Sequence, residues 1–346
     1  MALKYTLIRA AFEALWLANA PRLFEQFSDA RGVIWTLHRV LPQPPKAFAP
    51  NGILQVQPEF LAYCLERLAD RKIPVVNLDE ALDRLTMPRA KSTFVVLTFD
   101  DGYKDNLSHA LPVLEAARTP FTLYVPTAFP SGGGQLWWQA IEDIIGKAGE
   151  VRFQGSSGTV VLPSRSTKEK HTAFNQLYWH MRKMPETERL ALLAEFTANY
   201  GYDLSAQCRA EIMDWDEIKQ VANHPLATIG AHTVNHYELA KLPLDQARAE
   251  IVESVTALEQ RLGQRPKHFS YPLGGPLSCG EREFELVAQL GFTSGVTTRP
   301  GGLYPHHRKT PAALPRVSLN GLFQQKRYAD IFASGGLFTQ LGRISG

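Results

Sequence analysis

Short apolar, β-branched runs alternate along this chain with longer stretches in which apolar residues recur every three or four positions. Phe94-Val95-Val96-Leu97 reads as a buried strand, and Leu107, Leu111, Leu114 and Ala117 behind it form one helical stripe. Gly32-Val33-Ile34-Trp35-Thr36-Leu37 predicts an earlier strand and Pro74-Val75-Val76 a short one, and residues 120–125, 226–229, 292–297 and 314–317 predict later ones. Residues 57–71 predict a helix with Phe60, Cys64, Leu65 and Leu68 inward, and further helices are expected over 78–85 and 281–290. The clearest helix is 244–262, where Ala247, Ile251, Val255, Leu258 and Leu262 share a stripe and Gly263 suits the C-cap. Strand and helix in alternation predict an α/β fold with a parallel sheet.

The middle of the chain departs from that rhythm. Ser131-Gly132-Gly133-Gly134 reads as a loop, and Trp137-Trp138 open the next helix either as packing or as faces for a sugar ring. Val151-Phe153 and Val160-Leu162, around Gly155-Ser156-Ser157-Gly158, predict a hairpin. Residues 168–210 predict two or three helices, and Asp214 reads as the cap of a short one. The expected organisation is an N-terminal amphipathic helix in residues 1–30, a main unit over 31–320 with an insertion at about 131–212, and a weakly helical tail over 321–346.

Composition narrows the class. The 346 residues carry a net charge of +3, and no basic block exceeds two residues, which argues against nucleic acid. Cys64, Cys208 and Cys279 are scattered and form neither a disulfide framework nor a C-x-x-C site. Arg9 and Glu13 interrupt the apolar core that a secretory signal would need, although Ala18-Asn19-Ala20 resembles a cleavage box. The expectation is a cytoplasmic protein, with peripheral membrane contact through residues 1–27 as the second reading.

Candidate chemistry sits at strand ends. Thr98-Phe99-Asp100-Asp101-Gly102 puts adjacent carboxylates where a strand gives way to a helix. Such a pair serves as a helix cap, or else a bound cation, or different jobs for the two carboxylates, relieves their repulsion. His232 and His236, four apart after another strand, would face the same way on a helical turn and make a ligand pair for a zinc-class metal. Phe269-Ser270-Tyr271-Pro272-Leu273-Gly274-Gly275 runs a short strand into a turn able to aim N–H groups at an oxyanion. His38 ends the first strand, where it is either a backbone-bonded buried His or a rim residue.

These three stretches resemble the motifs of the NodB-homology polysaccharide deacetylases (carbohydrate esterase family 4). The T-F-D-D-G motif is matched at Thr98 to Gly102, H-[ST]-x-x-H at His232 to His236, and the F-x-Y-P-x-G variant at Phe269 to Gly274. The resemblance spans roughly residues 32–319. It implies a distorted (β/α) barrel with fewer than eight strands, here with a helical and hairpin subdomain inserted, and metal-dependent removal of N-acetyl groups from an amino-sugar saccharide. By motif position Asp100 is the general base, and Asp101, His232 and His236 hold a divalent metal, zinc first, with cobalt, manganese or nickel as alternatives. Backbone around Tyr271, Pro272, Leu273 and Gly274 would meet the oxyanion.

Two departures from the pattern stand out. Ser270 occupies the place where many members carry an arginine bonded to the base, and Arg316 is the candidate substitute, unless it is a structural arginine. The late Leu-x-His that supplies the acid is absent, which leaves His38, His306 and His307 as candidates. Two other readings compete with the deacetylase. A two-His, one-carboxylate set also suits a non-heme iron oxygenase, though the βα alternation argues against that. A non-catalytic carbohydrate-binding relative should lack the base or a ligand, and all four residues are present.

Overall fold

A computed structural model of the chain describes residues 2–87, 93–156 and 158–345. Its strands are β1 (Gly32–Leu37), β2 (Arg39–Val40), β3 (Gln55–Val56), β4 (Phe94–Phe99), β5 (Phe121–Val125), β6 (Glu150–Gly155), β7 (Gly158–Pro163), β8 (Ala227–Ala231), β9 (His268–Ser270), β10 (Ser294–Val296) and β11 (Val317–Ser318). Its helices are α1 (Ala2–Leu17), α2 (Ala20–Phe27), α3 (Pro58–Asp70), α4 (Leu78–Arg84), α5 (Leu111–Ala116), α6 (Trp137–Lys147) and α7 (Thr167–Lys183). They continue with α8 (Glu186–Asn199), α9 (Leu204–Glu211), α10 (Trp215–Ala222), α11 (Leu244–Leu262), α12 (Glu281–Gln289), α13 (Ala329–Phe332) and α14 (Gly335–Ser345).

Among the described residues, seven strands form one parallel sheet in the order β10-β9-β8-β5-β4-β1-β11. The sheet curls into a distorted (β/α) barrel, and Val296 of β10 bridges Leu314, just before β11. Both faces are covered, which is why β1 and β4 are apolar throughout rather than alternating. Val33, Trp35, Val95, Leu97 and Phe99 pack with α3, α5 and α11 in the larger core. The residues between them, Ile34, Phe94 and Val96, join Tyr124, Val296 and Leu314 in a second cluster with α4.

The hairpin β6–β7 and helices α6 to α9 gather a separate core around Trp137, Ile141, Phe153, Phe174, Leu177 and Phe196. Ser157 of the expected hairpin turn lies outside the described residues. Helix α10 starts on an Asp214 capping box, and α11 ends on Gly263 in the left-handed conformation. Ala117, expected on the stripe after β4, is instead an exposed C-cap, because α5 ends at Ala116, after a π turn over 106–110. The tail is more than weakly helical. Its Tyr328, Phe332 and Phe338 pack edge-on around Phe12 of α1.

Candidate active site

Every parallel strand points its C-terminal end at one rim, and that rim holds a cavity of about 320 Å³. His38 follows β1, Asp100 and Asp101 follow β4, His232 follows β8, and Arg316 immediately precedes β11; all five line the cavity together with His236. The walls are aromatic. Trp137 and Trp138 of α6, Phe174, Tyr178 and Trp179 of α7, and Tyr5 of α1 surround the polar floor.

Asp101, His232 and His236 converge. Asp101 Oδ1 lies 3.6 Å from His232 Nε2 and 3.3 Å from His236 Nε2, and one donor atom from each residue falls within 4.8 Å of the others. The His232 Nδ1–H donates to the Ser270 carbonyl at 2.7 Å, which turns the Nε2 lone pair toward Asp101. Burial pushes the His236 imidazole down to about 3, against the pull of the Asp101 carboxylate, so it stands neutral with a free lone pair. Asp101 Oδ1 is buried and has no hydrogen-bond partner. A buried carboxylate oxygen facing two imidazole lone pairs is costly unless a cation lies between them, and two nitrogens with one oxygen suit a zinc-class ion with a coordination position left open.

The two histidines do not share a helical turn, as their spacing predicts. The chain after β8 is irregular, and it bends through positive φ at Thr233 (65°) and His236 (60°), folding His236 back beside His232. The Glu250 carboxylate of α11 holds that loop, accepting from the Val234 and Asn235 amides at 3.0 and 2.9 Å. Thr233 Oγ1 accepts from the His236 amide at 2.9 Å. Glu250 escaped the sequence reading, although an acid set within the apolar stripe of α11 was a usable signal.

Asp100 is gripped by Arg316. The guanidinium donates Nη1 to Oδ1 at 2.8 Å and Nη2 to Oδ2 at 2.7 Å, and it also donates to Thr98 Oγ1, Ser270 Oγ and the Thr297 carbonyl. Burial alone would raise the Asp100 carboxyl, but Arg316 outweighs it and holds the group well below the usual carboxylate range. Ser270, standing where an arginine is common, thus becomes an acceptor for the arginine supplied from just before β11. His38 Nε2 is 4.0 Å from Asp100 Oδ2 on the cavity wall.

The third motif contributes less than its sequence suggests. Leu273 lines the cavity, while Tyr271, Pro272 and Gly274 do not. The Tyr271 amide donates to Val296, its hydroxyl to Ala312, and the Gly274 amide to Pro272. Pro272 has no N–H, so the Leu273 amide is what the turn can offer the cavity. Leu273 has φ 59°, and Gly274 (φ 58°) has no room for a Cβ, which would stand 2.6 Å from the Thr298 nitrogen. Asp101, at φ 75°, shares this unusual backbone, so strained residues gather in all three motif turns. His306 and His307 lie elsewhere, in a 3₁₀ turn beside Pro300, Pro315 and α14, so neither can deliver a proton here. Trp138 packs tilted against His236 at 5.1 Å between centroids and donates to the Tyr103 hydroxyl.

The family profile described as Polysaccharide deacetylase matches residues 88–295. The chain belongs to the polysaccharide deacetylase family. These are hydrolases of carbon–nitrogen bonds in N-acetylated sugars. YxkH of Bacillus subtilis (strain 168), whose name assigns it to the same family, is 30% identical over 265 residues, covering 75% of this chain. The chain spans 66% of that relative's length. The barrel is similar to Streptococcus pyogenes deacetylase PplD in complex with acetate, with a TM-score of 0.54 at 18% identity over 84% of this chain and 93% of that one. It is also similar to IcaB from Ammonifex degensii, with a TM-score of 0.51 at 19% identity over 86% and 97%. At those identities the two structures speak for the fold.

Proposed function

We propose that the protein is a metal-dependent N-deacetylase acting on an N-acetylated amino-sugar saccharide. One observation carries this reading: a buried carboxylate and two imidazoles converge beside a second carboxylate that an arginine fork holds ionised. A zinc-class ion held by Asp101, His232 and His236 would supply Lewis acidity to the acetyl carbonyl and acidify a water.

The chain's own residues account for the rest. Asp100 takes a proton from the water that attacks the carbonyl carbon. Arg316 keeps that carboxylate ionised and fixes its plane. The Leu273 N–H faces the oxygen that gains charge as the carbonyl becomes tetrahedral. The C–N bond then breaks, acetate leaves, and the amine takes a proton for which His38 is the donor within reach. Trp137, Trp138 and Tyr178 offer apolar faces to a pyranose ring and exclude water.

The iron oxygenase reading loses support from the family membership. The non-catalytic reading loses support from the intact cluster of Asp100, Asp101, His232 and His236. The deciding experiment is acetate release from N-acetylated oligosaccharides after metal stripping and reloading. Zinc or cobalt should restore it without oxygen. Restoration by ferrous iron and oxygen alone, or by no metal, would overturn the proposal.

A further inference from the structure

We propose that α1 seats the protein on an anionic bilayer surface, so that the catalytic cleft works on an N-acetylated saccharide carried by a lipid. The second half rests on the N-deacetylase reading; the membrane seat does not.

Helix α1 is apolar on two opposite faces. Ile8, Phe12 and Leu15 face the body, where Phe12 meets Phe323, Tyr328 and Phe332 at 5.0 to 5.7 Å between ring centroids. The opposite stripe, at 100° per residue, is Leu7, Ala10, Ala14 and Leu17, continued by Ala18 in the turn that follows, and all five are exposed. Leu7 is 62% and Leu17 76% exposed, with Trp16 at 45% and Phe27 of α2 at 83%. A surface helix that needs only to cover its own protein carries polar residues on its outer face. Ten large hydrophobic residues are strongly exposed among the described residues, and four of them fall in this short N-terminal segment, the other six being scattered over the rest of the chain.

Charge selects the occupant. Residues 1–27 carry Lys4, Arg9 and Arg22 against Glu13 and Glu25; Arg9 and Arg22 are exposed, while Glu13 is engaged by Arg327 and Tyr328, which leaves the segment weakly cationic. Arg327 also sits over the Trp16 ring, 5.6 Å from its centroid. An apolar stripe with an aromatic edge and basic flanks fits the boundary between lipid headgroups and acyl chains. No helix among the described residues is long and apolar enough to cross a membrane, so the contact is interfacial. A second copy fits less well: three of the five stripe residues are alanines, too little surface for the ~800 Å² per partner of a stable interface.

The same helix reaches the catalytic cleft. Tyr5 lines the cavity that holds Asp100 and His232, and the exposed Trp179 lines it too. A bilayer beneath α1 therefore lies next to the cleft, and a sugar projecting from a lipid headgroup can enter without its lipid leaving the membrane.

The test is co-sedimentation of the full chain with phosphatidylcholine vesicles, with and without phosphatidylglycerol. The wild type should sediment with the anionic vesicles, and the double variant Leu7→Glu/Leu17→Glu should lose at least about tenfold in partitioning. Both positions are solvent-exposed, so its thermal unfolding should match the wild type. Absence of wild-type binding, or equal binding by the variant, overturns the membrane seat. So does self-association that the double variant abolishes without any vesicle binding, since the face would then take a second copy. A parallel assay compares acetate release from an N-acetylglucosamine-bearing lipid in those vesicles with release from a soluble oligosaccharide. The double variant should lose only the first. Equal loss on both, or release from the soluble substrate alone, overturns the lipid-borne substrate. Vesicle binding without release from either substrate upholds the seat and refutes the deacetylase reading beneath the second half.

Discussion

Arg316 and Asp100 stand 216 residues apart in sequence and meet as a two-pronged ion pair inside the barrel, at 2.8 and 2.7 Å. The arginine is 1% exposed and Asp100 2%, so neither can turn to water for a replacement partner. Arg316→Lys keeps the charge but loses the fork. Its kcat should fall at least about tenfold while bound metal stays stoichiometric. Arg316→Met leaves a buried carboxylate unpaired and should also cost about 3–5 kcal/mol in urea unfolding. Wild-type kcat in Arg316→Lys would dispose of the positioning role.

The adjacent carboxylates should separate by metal analysis. Asp100→Asn should retain zinc and lose rate by about 10²-fold or more. Asp101→Asn should lose zinc itself, since it removes the negative charge of the carboxylate that faces both imidazoles. Equal metal loss in the two variants contradicts the division of labour.

His38→Ala should lower kcat and remove the basic limb of the pH–rate profile, with metal content intact. His306→Ala and His307→Ala should leave that limb unchanged, because both side chains lie outside the cavity. A persistent basic limb in His38→Ala shows that protonation of the amine comes from elsewhere.

Glu250→Gln tests the support of the ligand loop. The carboxylate accepts from two successive amides and from the Asn235 side chain. Losing its charge should weaken zinc binding by about 10–100-fold in a chelator competition. Unchanged affinity would mean that Thr233 and the strained backbone suffice to hold His236.

His268 sets a pH dependence of stability. Burial pushes its imidazole down to about 4, although Asp79 lies 3.5 Å away. The folded value is below the unfolded one, so the unfolded chain takes up the proton first. The stabilisation is complete above about pH 6.5 and is lost as pH falls through about 4, in total on the order of 3 kcal/mol. Urea unfolding at pH 7.5 and pH 5 should show a drop of about 2 kcal/mol from this group, and His268→Gln should show a shallower slope. Parallel slopes in the two proteins exclude His268 as the source.

Much of this protein was legible locally. Strands such as Phe94–Phe99 and helices such as Leu244–Leu262 follow from apolar periodicity and caps, which act over a few residues. A hydrophobic strand that runs into a polar turn also announces its rim, which is why Asp100, Asp101, His232 and His38 could be picked out one by one. Local pattern says nothing about which rim residues touch. Arg316 reaches Asp100 because β11, β1 and β4 lie side by side in register and the sheet curls, and contacts of that kind depend on strand order. The four-residue spacing of His232 and His236 suggested a helix, yet two positive-φ residues and a carboxylate from α11 bring the rings together by another route. His306 and His307 looked close to the site because they precede the last strand, but the 3₁₀ turn faces α14 instead. Tyr5 entered the cavity wall only because the two ends of the chain pack on each other around Phe12. Secondary structure answers to neighbours along the chain, whereas an active site answers to the order in which strands are laid beside one another.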